Sequence, residues 1–254
     1  MADAVREVFA TGATGDAARE WVPEEPVALE YNGLSYAVMM ATPEHLEEFS
    51  LGFAITEGLA RDGCDILMTD IAETASGWIV RTQLRGLGVE RLHERIRHRV
   101  AESSCGLCGI ENLEALVKPL PAVASHAKPE RAAVFAAADS IRRMQALNHR
   151  TGAAHCAAFV ETDGTIAMVR EDVGRHNALD KLVGAMALAH RALDEGMILS
   201  SARCSYEIVE KAVRAGATRL VTISLPTSMA VQRARAAGLS LICLARGDSY
   251  LEVC

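Results

Sequence analysis

The residues whose types and spacing most directly suggest chemistry are Cys105 and Cys108, in the run Ser103-Ser104-Cys105-Gly106-Leu107-Cys108-Gly109. Two thiols so placed have three ordinary uses: half of a zinc site, a dithiol redox pair, or a nucleophilic thiol that carries a group. Zinc asks for two more ligands, and the chain offers no second Cys-x-x-Cys and no close His pair of obvious ligand character. Scattered residues or a second subunit could still complete such a site. A redox pair belongs near a strand-to-helix junction, and Ala101-Glu102-Ser103-Ser104 makes a poor buried strand. Gly106 and Gly109 loosen the segment, which suits a thiol that meets one partner and then reaches another. The reactive form is the thiolate. Arg91, Arg95, Arg97 and Arg99 just upstream either favour it or form a solvated helix face. On the residues alone, all three uses stay open.

A second group is His155, Asp172, Arg175, His176 and Asn177. Basic side chains at the start of a helix suit phosphate recognition. The competing reading has Asp172 and Asn177 capping the helix, with the others forming its polar first turn. Cys64, Cys156, Cys204, Cys243 and Cys254 stand singly, and Cys156 and Cys204 read as core fillers.

Composition bounds the rest. The chain has 254 residues, 50% of them hydrophobic and only 4% aromatic, so a sizeable core must be built from aliphatic residues. A net charge of −7 argues against DNA, RNA or an anionic membrane surface as partner, while leaving room for a local basic pocket. No apolar run reaches the roughly 18 residues of a membrane span. The opening residues lack a signal-peptide pattern, and the odd cysteine count fits a reducing compartment. The expected location is the cytoplasm.

The elements that must position these groups follow from pattern and punctuation. Residues 1–20 read as a flexible tail, 21–117 as an N-terminal region containing β structure, 118–130 as a proline-rich linker, and 131–254 as an α/β domain. Asn32-Gly33 between runs 27–31 and 34–40, and Asp163-Gly164 between 154–161 and 165–170, predict two hairpins. Thr42-Pro43-Glu44 predicts a helix start. Helices are expected over 89–100, 111–117, from Pro129 to about 147, and over 174–195 with Gly196 as its end. Strands at 78–84, 197–201, 219–224 and 239–246, with helices at 205–215 and 227–237, predict a parallel sheet with antiparallel strands added by the second hairpin. The fold class is therefore α/β, with a mixed sheet in a layered architecture.

With these segments assembled, the chain resembles the formate dehydrogenase accessory proteins of the FdhD/NarQ family. The stretches that carry the resemblance are Thr42-Pro43-Glu44, Leu51-Gly52-Phe53, Thr56-Glu57-Gly58, the 104–109 cysteine run, Arg150-Thr151-Gly152 with His155, the long run 170–181, the run 205–211, and Pro226-Thr227-Ser228. The resemblance implies a sulfur carrier, a sulfurtransferase that takes persulfide sulfur from a cysteine desulfurase. It passes that sulfur to the molybdenum cofactor, in its bis-molybdopterin guanine dinucleotide form, before insertion into the formate dehydrogenase catalytic subunit. It also implies a cytidine-deaminase-like fold and a homodimer. The persulfide cysteine maps to Cys105, with Cys108 as a resolving or tuning thiol. The cofactor-binding stretch maps to Leu244, Ala245, Arg246, Gly247, Asp248 and Ser249, and His155, Arg170, Arg175 and His176 are further candidates for the dinucleotide. No metal ligand is implied. Ala153, Ala202 and Leu244 depart from the family pattern, which bears on pocket shape. A zinc-dependent deaminase-like hydrolase and a non-catalytic cofactor chaperone are the rival readings.

Overall fold

The structure is a computed structural model that describes residues 2–86, 92 and 119–253. The chain opens with an antiparallel hairpin of β1 (Ala2–Val8) and β2 (Thr14–Glu20). This corrects the flexible tail expected there; Gly12 takes a left-handed turn between the strands, and Arg150 reaches back to pair with Glu20 at 3.1 Å.

A four-stranded sheet follows, built from β3 (Glu25–Tyr31), β4 (Leu34–Ala41), β5 (Ile66–Thr74) and β6 (Gly77–Leu84) in the order β4-β3-β6-β5. Asn32 and Gly33 make the β3–β4 turn with φ of 49° and 81°, the left-handed pair a two-residue hairpin needs. Val27, Leu29, Tyr31, Val80 and Leu84 face inward at every second position. They are covered by α1 (Leu46–Thr56). The helix begins later than Thr42-Pro43-Glu44 suggested, because the Thr42 hydroxyl is committed elsewhere: it donates to Pro23 O and accepts the Val173 N–H.

The linker segment 119–130 has no regular structure, yet Leu120 and Val123 pack on the core, and the Val123 N–H donates to Ala237 O. The expected helix to residue 147 is broken. It runs as α2 (Arg131–Ser140), a 3₁₀ turn at Ile141–Met144, and α3 (Ala146–Thr151), with Gln145 off-helix between them at ψ 76°.

The larger sheet has six strands: β7 (His155–Val160), β8 (Ile166–Asp172), β9 (Met197–Ser200), β10 (Arg219–Thr222), β11 (Ser240–Cys243) and β12 (Leu251–Val253). Their order is β12-β11-β10-β9-β7-β8. β9, β10 and β11 are parallel, and β7, β8 and β12 add antiparallel neighbours. β12 was not foreseen, and the strand expected over 239–246 stops at Cys243 because Leu244 turns to φ 53°. One face of this sheet packs on α2 through Ala133, Val134, Ala137 and Ile141. The other packs on α4 (Arg175–Leu188), α5 (Tyr206–Arg214) and α6 (Ser228–Ala237). α4 ends earlier than expected, and Gly196 serves closeness rather than capping: a Cβ there would lie 2.3 Å from Val160 O.

The two halves join where α1 crosses α4. A Cβ on Gly52 would sit 1.7 Å from Asp180 O, and one on Gly184 would sit 1.8 Å from Glu48 O. Only hydrogen at both positions allows this approach. No described helix is long and apolar enough to cross a membrane.

Candidate functional site

Parallel strands of an open α/β sheet deliver their connecting loops to one edge, and ligands gather there. Here that edge is made by the segments after β8, β9, β10 and β11. His155 belongs to it as well, because β7 runs antiparallel and its first residue pairs with Asp172, the last of β8.

The first turns of α4 and α5 meet at this edge. Gly174 precedes α4 with no side-chain cap, and Ser205 precedes α5 without capping it. Ser is a preferred cap, and its hydroxyl ordinarily closes on the helix N–H groups. The Ser205 hydroxyl does not; it is buried with no hydrogen-bond partner among the described residues. Arg175 Nε is in the same condition. His176 Nε2 lies 3.1 Å from the Glu207 carboxylate, at ion-pair distance but without a well-directed hydrogen bond. The His176 ring holds the Glu207 carboxyl below its ordinary range, against the opposing effect of burial. Burial pushes the His155 imidazole down from its ordinary value of 6.5, and the charges of Arg175 and His176 add to this while Asp172 opposes it. His155 is therefore a neutral ring at neutral pH, beside a cationic guanidinium. Two helix N-termini, a guanidinium donor and a hydroxyl without partners are the equipment for an anion.

His155, Arg175 and His176 share this edge, and the charges of Arg175 and His176 act on the His155 ring. The structure places Asp172 and Asn177 behind them as supports. Asp172 accepts from Gly174 N–H (2.7 Å), Asn177 Nδ2 (2.9 Å), Thr42 N–H (3.1 Å) and Lys181 Nζ (2.6 Å), and Asn177 also donates to Met40 O. Arg170 is not part of the group. Its guanidinium pairs with Glu48 of α1 and donates to Val169 O, so it ties β8 to the N-terminal half.

The stretch Leu244 to Ser249 lies on the same edge. The Leu244 N–H donates to Ser224 O, Ala245 N–H to Thr222 O, and Arg246 N–H to Ser249 O at 2.9 Å. Ala245 is buried, while Arg246, Gly247, Asp248 and Ser249 are exposed. Cys105 and Cys108, and the helices expected around them, fall outside the described residues. Cys156, Cys204 and Cys243 are buried and free, and burial pushes the Cys156 thiol up to about 12, so it is inert packing as expected. Among the described residues, no three His, Cys, Asp or Glu side chains are grouped to hold a metal ion. Ser205 and Glu207 are the residues sequence reasoning missed. Their position before an amphipathic helix reads as an ordinary cap and first-turn acid, which conceals an unused hydroxyl.

Residues 22–252 match the model of the FdhD/NarQ family. This chain belongs to that family. It is 42% identical over 221 residues to the sulfur carrier protein FdhD of Bordetella petrii, covering 86% of this chain and 79% of the relative. It is 40% identical over 232 residues to the sulfur carrier protein FdhD of Cupriavidus necator, covering 91% and 81%. The fold is similar to the crystal structure of a putative formate dehydrogenase accessory protein from Desulfotalea psychrophila, with a TM-score of 0.77 at 20% identity over 100% of this chain and 96% of that one. The six-stranded mixed sheet, the four-stranded sheet and the helices between them are thus an arrangement shared with an accessory protein of distant sequence.

Proposed function

We propose that this protein is a sulfur carrier of formate dehydrogenase maturation, loaded as a persulfide on Cys105 by a cysteine desulfurase. The sulfur acceptor is the molybdenum cofactor in its bis-molybdopterin guanine dinucleotide form, bound as substrate before it enters the formate dehydrogenase catalytic subunit. The observation that carries this reading is the pair of buried donors without partners, Arg175 Nε and Ser205 Oγ, where α4 and α5 begin. They supply what the phosphates of a dinucleotide require, in a chain about 40% identical to proteins named sulfur carriers.

In loading, the Cys105 thiolate attacks the outer sulfur of the donor persulfide. The donor S–S bond breaks, the donor cysteine leaves as a thiolate, and Cys105 holds the sulfur as a persulfide. In delivery, the outer sulfur passes to molybdenum. Cys108 attacks the Cys105 sulfur, the persulfide S–S bond breaks so that the outer sulfur leaves at the sulfide level, and the two electrons come from the dithiol, which is left as a Cys105–Cys108 disulfide for reduction by an external thiol. Arg175, with Ser205 and the two helix N-termini, holds phosphate oxygens, and neutral His155 beside them donates or accepts without adding charge. The exposed stretch from Arg246 to Ser249 closes the substrate from the β11 side. The homodimer, the cytoplasmic setting and the likeness of the larger half to a cytidine-deaminase fold belong to the same proposal.

Incubation of the full chain with a cysteine desulfurase and cysteine, followed by peptide mass spectrometry, tests it. One added sulfur atom on the Cys105 peptide is expected. No added sulfur there sinks the carrier reading, and a Cys105→Ala variant that still matures formate dehydrogenase favours a sheltering chaperone.

A further inference from the structure

A cationic side chain held partly out of water is unfavourable without a counter-charge. The carboxylates around the α4 and α5 N-termini divide into fixed and free. Asp172 is 0% exposed and sits behind the group, where four donors hold it. Glu171 accepts the Leu147 and Asn148 N–H groups at 2.8 and 2.9 Å, so it is committed to α3. Glu207 is different. It stands in the first turn of α5, its side chain is 42% exposed, and the His176 ring at 3.1 Å is its one ion-pair partner among the described residues. The charges that act on its carboxyl are those of His176 first, then Arg175 and Lys211. Lys211 is already engaged: its Nζ donates to both Asp180 carboxylate oxygens and to Thr56 Oγ1, each at 2.9 Å. Glu207 therefore answers to the imidazole and guanidinium of the α4 first turn, and with it in place Arg175 Nε and Ser205 Oγ still have no partner.

We propose that Glu207 is a displaceable counter-ion of the anion site: it covers His176 until a phosphate group takes its place, and then turns out to solvent. The inference rests on the function proposed above and adds how the site lets go of what it binds. A carboxylate and a phosphate compete for the same kind of partner, an imidazole N–H and a guanidinium. Two anions sharing one set of donors repel, so both do not stay. The phosphate brings further acceptor oxygens, and Arg175 Nε, Ser205 Oγ and the two uncapped helix N-termini are there to meet them. Glu207 meets none of these. Half-exposed already, it leaves by rotation about its own side-chain bonds and gives up only His176. On release the carboxylate returns to the ring. Phosphate affinity is thereby held below what the donors by themselves would give, which suits a protein that must hand its substrate on.

Calorimetric titration of the full chain with inorganic pyrophosphate tests this at pH 6, where an ordinary imidazole of pKa about 6.5 is mostly charged. Glu207→Gln keeps the shape of the side chain and removes its charge. It is expected to bind pyrophosphate about fivefold or more tightly than the parent, the effect of one unit charge taken from a partly solvated site. Saturating pyrophosphate is also expected to raise the thermal midpoint further in Glu207→Gln than in the parent, a comparison that holds where the variant is less stable without ligand. Equal or weaker binding in Glu207→Gln overturns the role of Glu207, and an ion pair that merely braced the helices would give that result. Pyrophosphate binding by neither protein overturns this role together with the anion site beneath it. Sulfur uptake on Cys105, measured on the same samples, keeps the two readings apart: tighter binding in Glu207→Gln without uptake supports the counter-ion and overturns the carrier reading.

Discussion

From the end of β8 into α4, the residues of one continuous run meet two different fates. Asp172, Asn177, Asp180 and Lys181 are buried and fully engaged: Lys181 Nζ donates to Thr42 O and pairs with Asp172, while Asp180 accepts from Thr56 Oγ1 at 2.7 Å and from Lys211 Nζ at 2.9 Å. Arg175 and His176, in the first turn, hold polar atoms that the fold leaves without hydrogen bonds. All four sealed residues bond to the N-terminal half, Asp172 and Lys181 through Thr42, Asn177 through Met40 and Asp180 through Thr56; the open ones face the sheet edge. A charge taken out of water is tolerated only when it is paired, so the sealed turn defines the structure. An unpaired donor at the adjacent turn marks where the protein reserves bonding capacity for something it binds.

The sealed region is where substitution should do most damage. Lys181→Ala leaves the Asp172 carboxylate buried without its cation, both side chains being 0% exposed and 2.6 Å apart. Loss of one partner of such a pair costs about 3–5 kcal/mol. Urea unfolding should show that loss, and a variant as stable as the parent would break the comparison. Gly184→Ala follows in size. Its Cβ would lie 1.8 Å from Glu48 O, so α1 and α4 must separate. Overpacking of this kind costs about 1–3 kcal/mol, with more where backbone must move. The thermal midpoint should fall, and an unchanged midpoint would show that the contact between the halves yields freely.

Much of the fold was legible because its signals are local. Asn32-Gly33 turns a hairpin by its own backbone preferences; Asp163 accepts the Thr165 N–H two residues on, and Gly164 takes φ 93°. Thr227 and Gly238 bracket α6 as cap and stop. The fates of the residues in the 170–181 run were not legible. Whether Arg170 serves a ligand or a strut depends on Glu48, 122 positions away, and Asp172 is held by Thr42 from 130 positions away. The basic first turn could be named as a site candidate from type alone. That Ser205 leaves its helix uncapped could not, because a Ser at this position signals a cap regardless of where its hydroxyl goes. Gln145 was lost to a continuous helical pattern, and the N-terminal hairpin to a segment of weak alternation.

Ser205 and Thr227 sharpen the comparison at the next scale down. Both precede helices on the same edge, and only Thr227 accepts a helix N–H, from Ala230. Thr227→Ala should therefore cost about 1 kcal/mol, the usual loss of a cap. Ser205→Ala should leave stability within about 0.5 kcal/mol of the parent, since no hydrogen bond is removed. If Ser205 matters to a bound anion, the same variant weakens inorganic pyrophosphate binding while Thr227→Ala, compared at equal folded fraction, does not. Equal stability losses in the two variants would erase the distinction between an occupied and a reserved helix start.

The smallest effect expected is the acid response of His155. Its folded pKa lies below the ordinary 6.5, first because the ring is partly buried and then because Arg175 and His176 repel a second positive charge. For a base depressed in this way, the unfolded chain binds the proton more readily than the folded one. The contribution to stability is whole above the unfolded pKa and is lost as pH falls through the folded pKa. Urea midpoints measured downward from pH 7 should decline, and His155→Gln should decline less steeply over that window. Arg175→Met removes one of the repelling charges, so the His155 ring resonances should titrate at a higher pH in that variant. A His155 titration that ignores Arg175 would separate the ring from the group at the α4 N-terminus, and with it the claim that the open turn acts as one electrostatic unit.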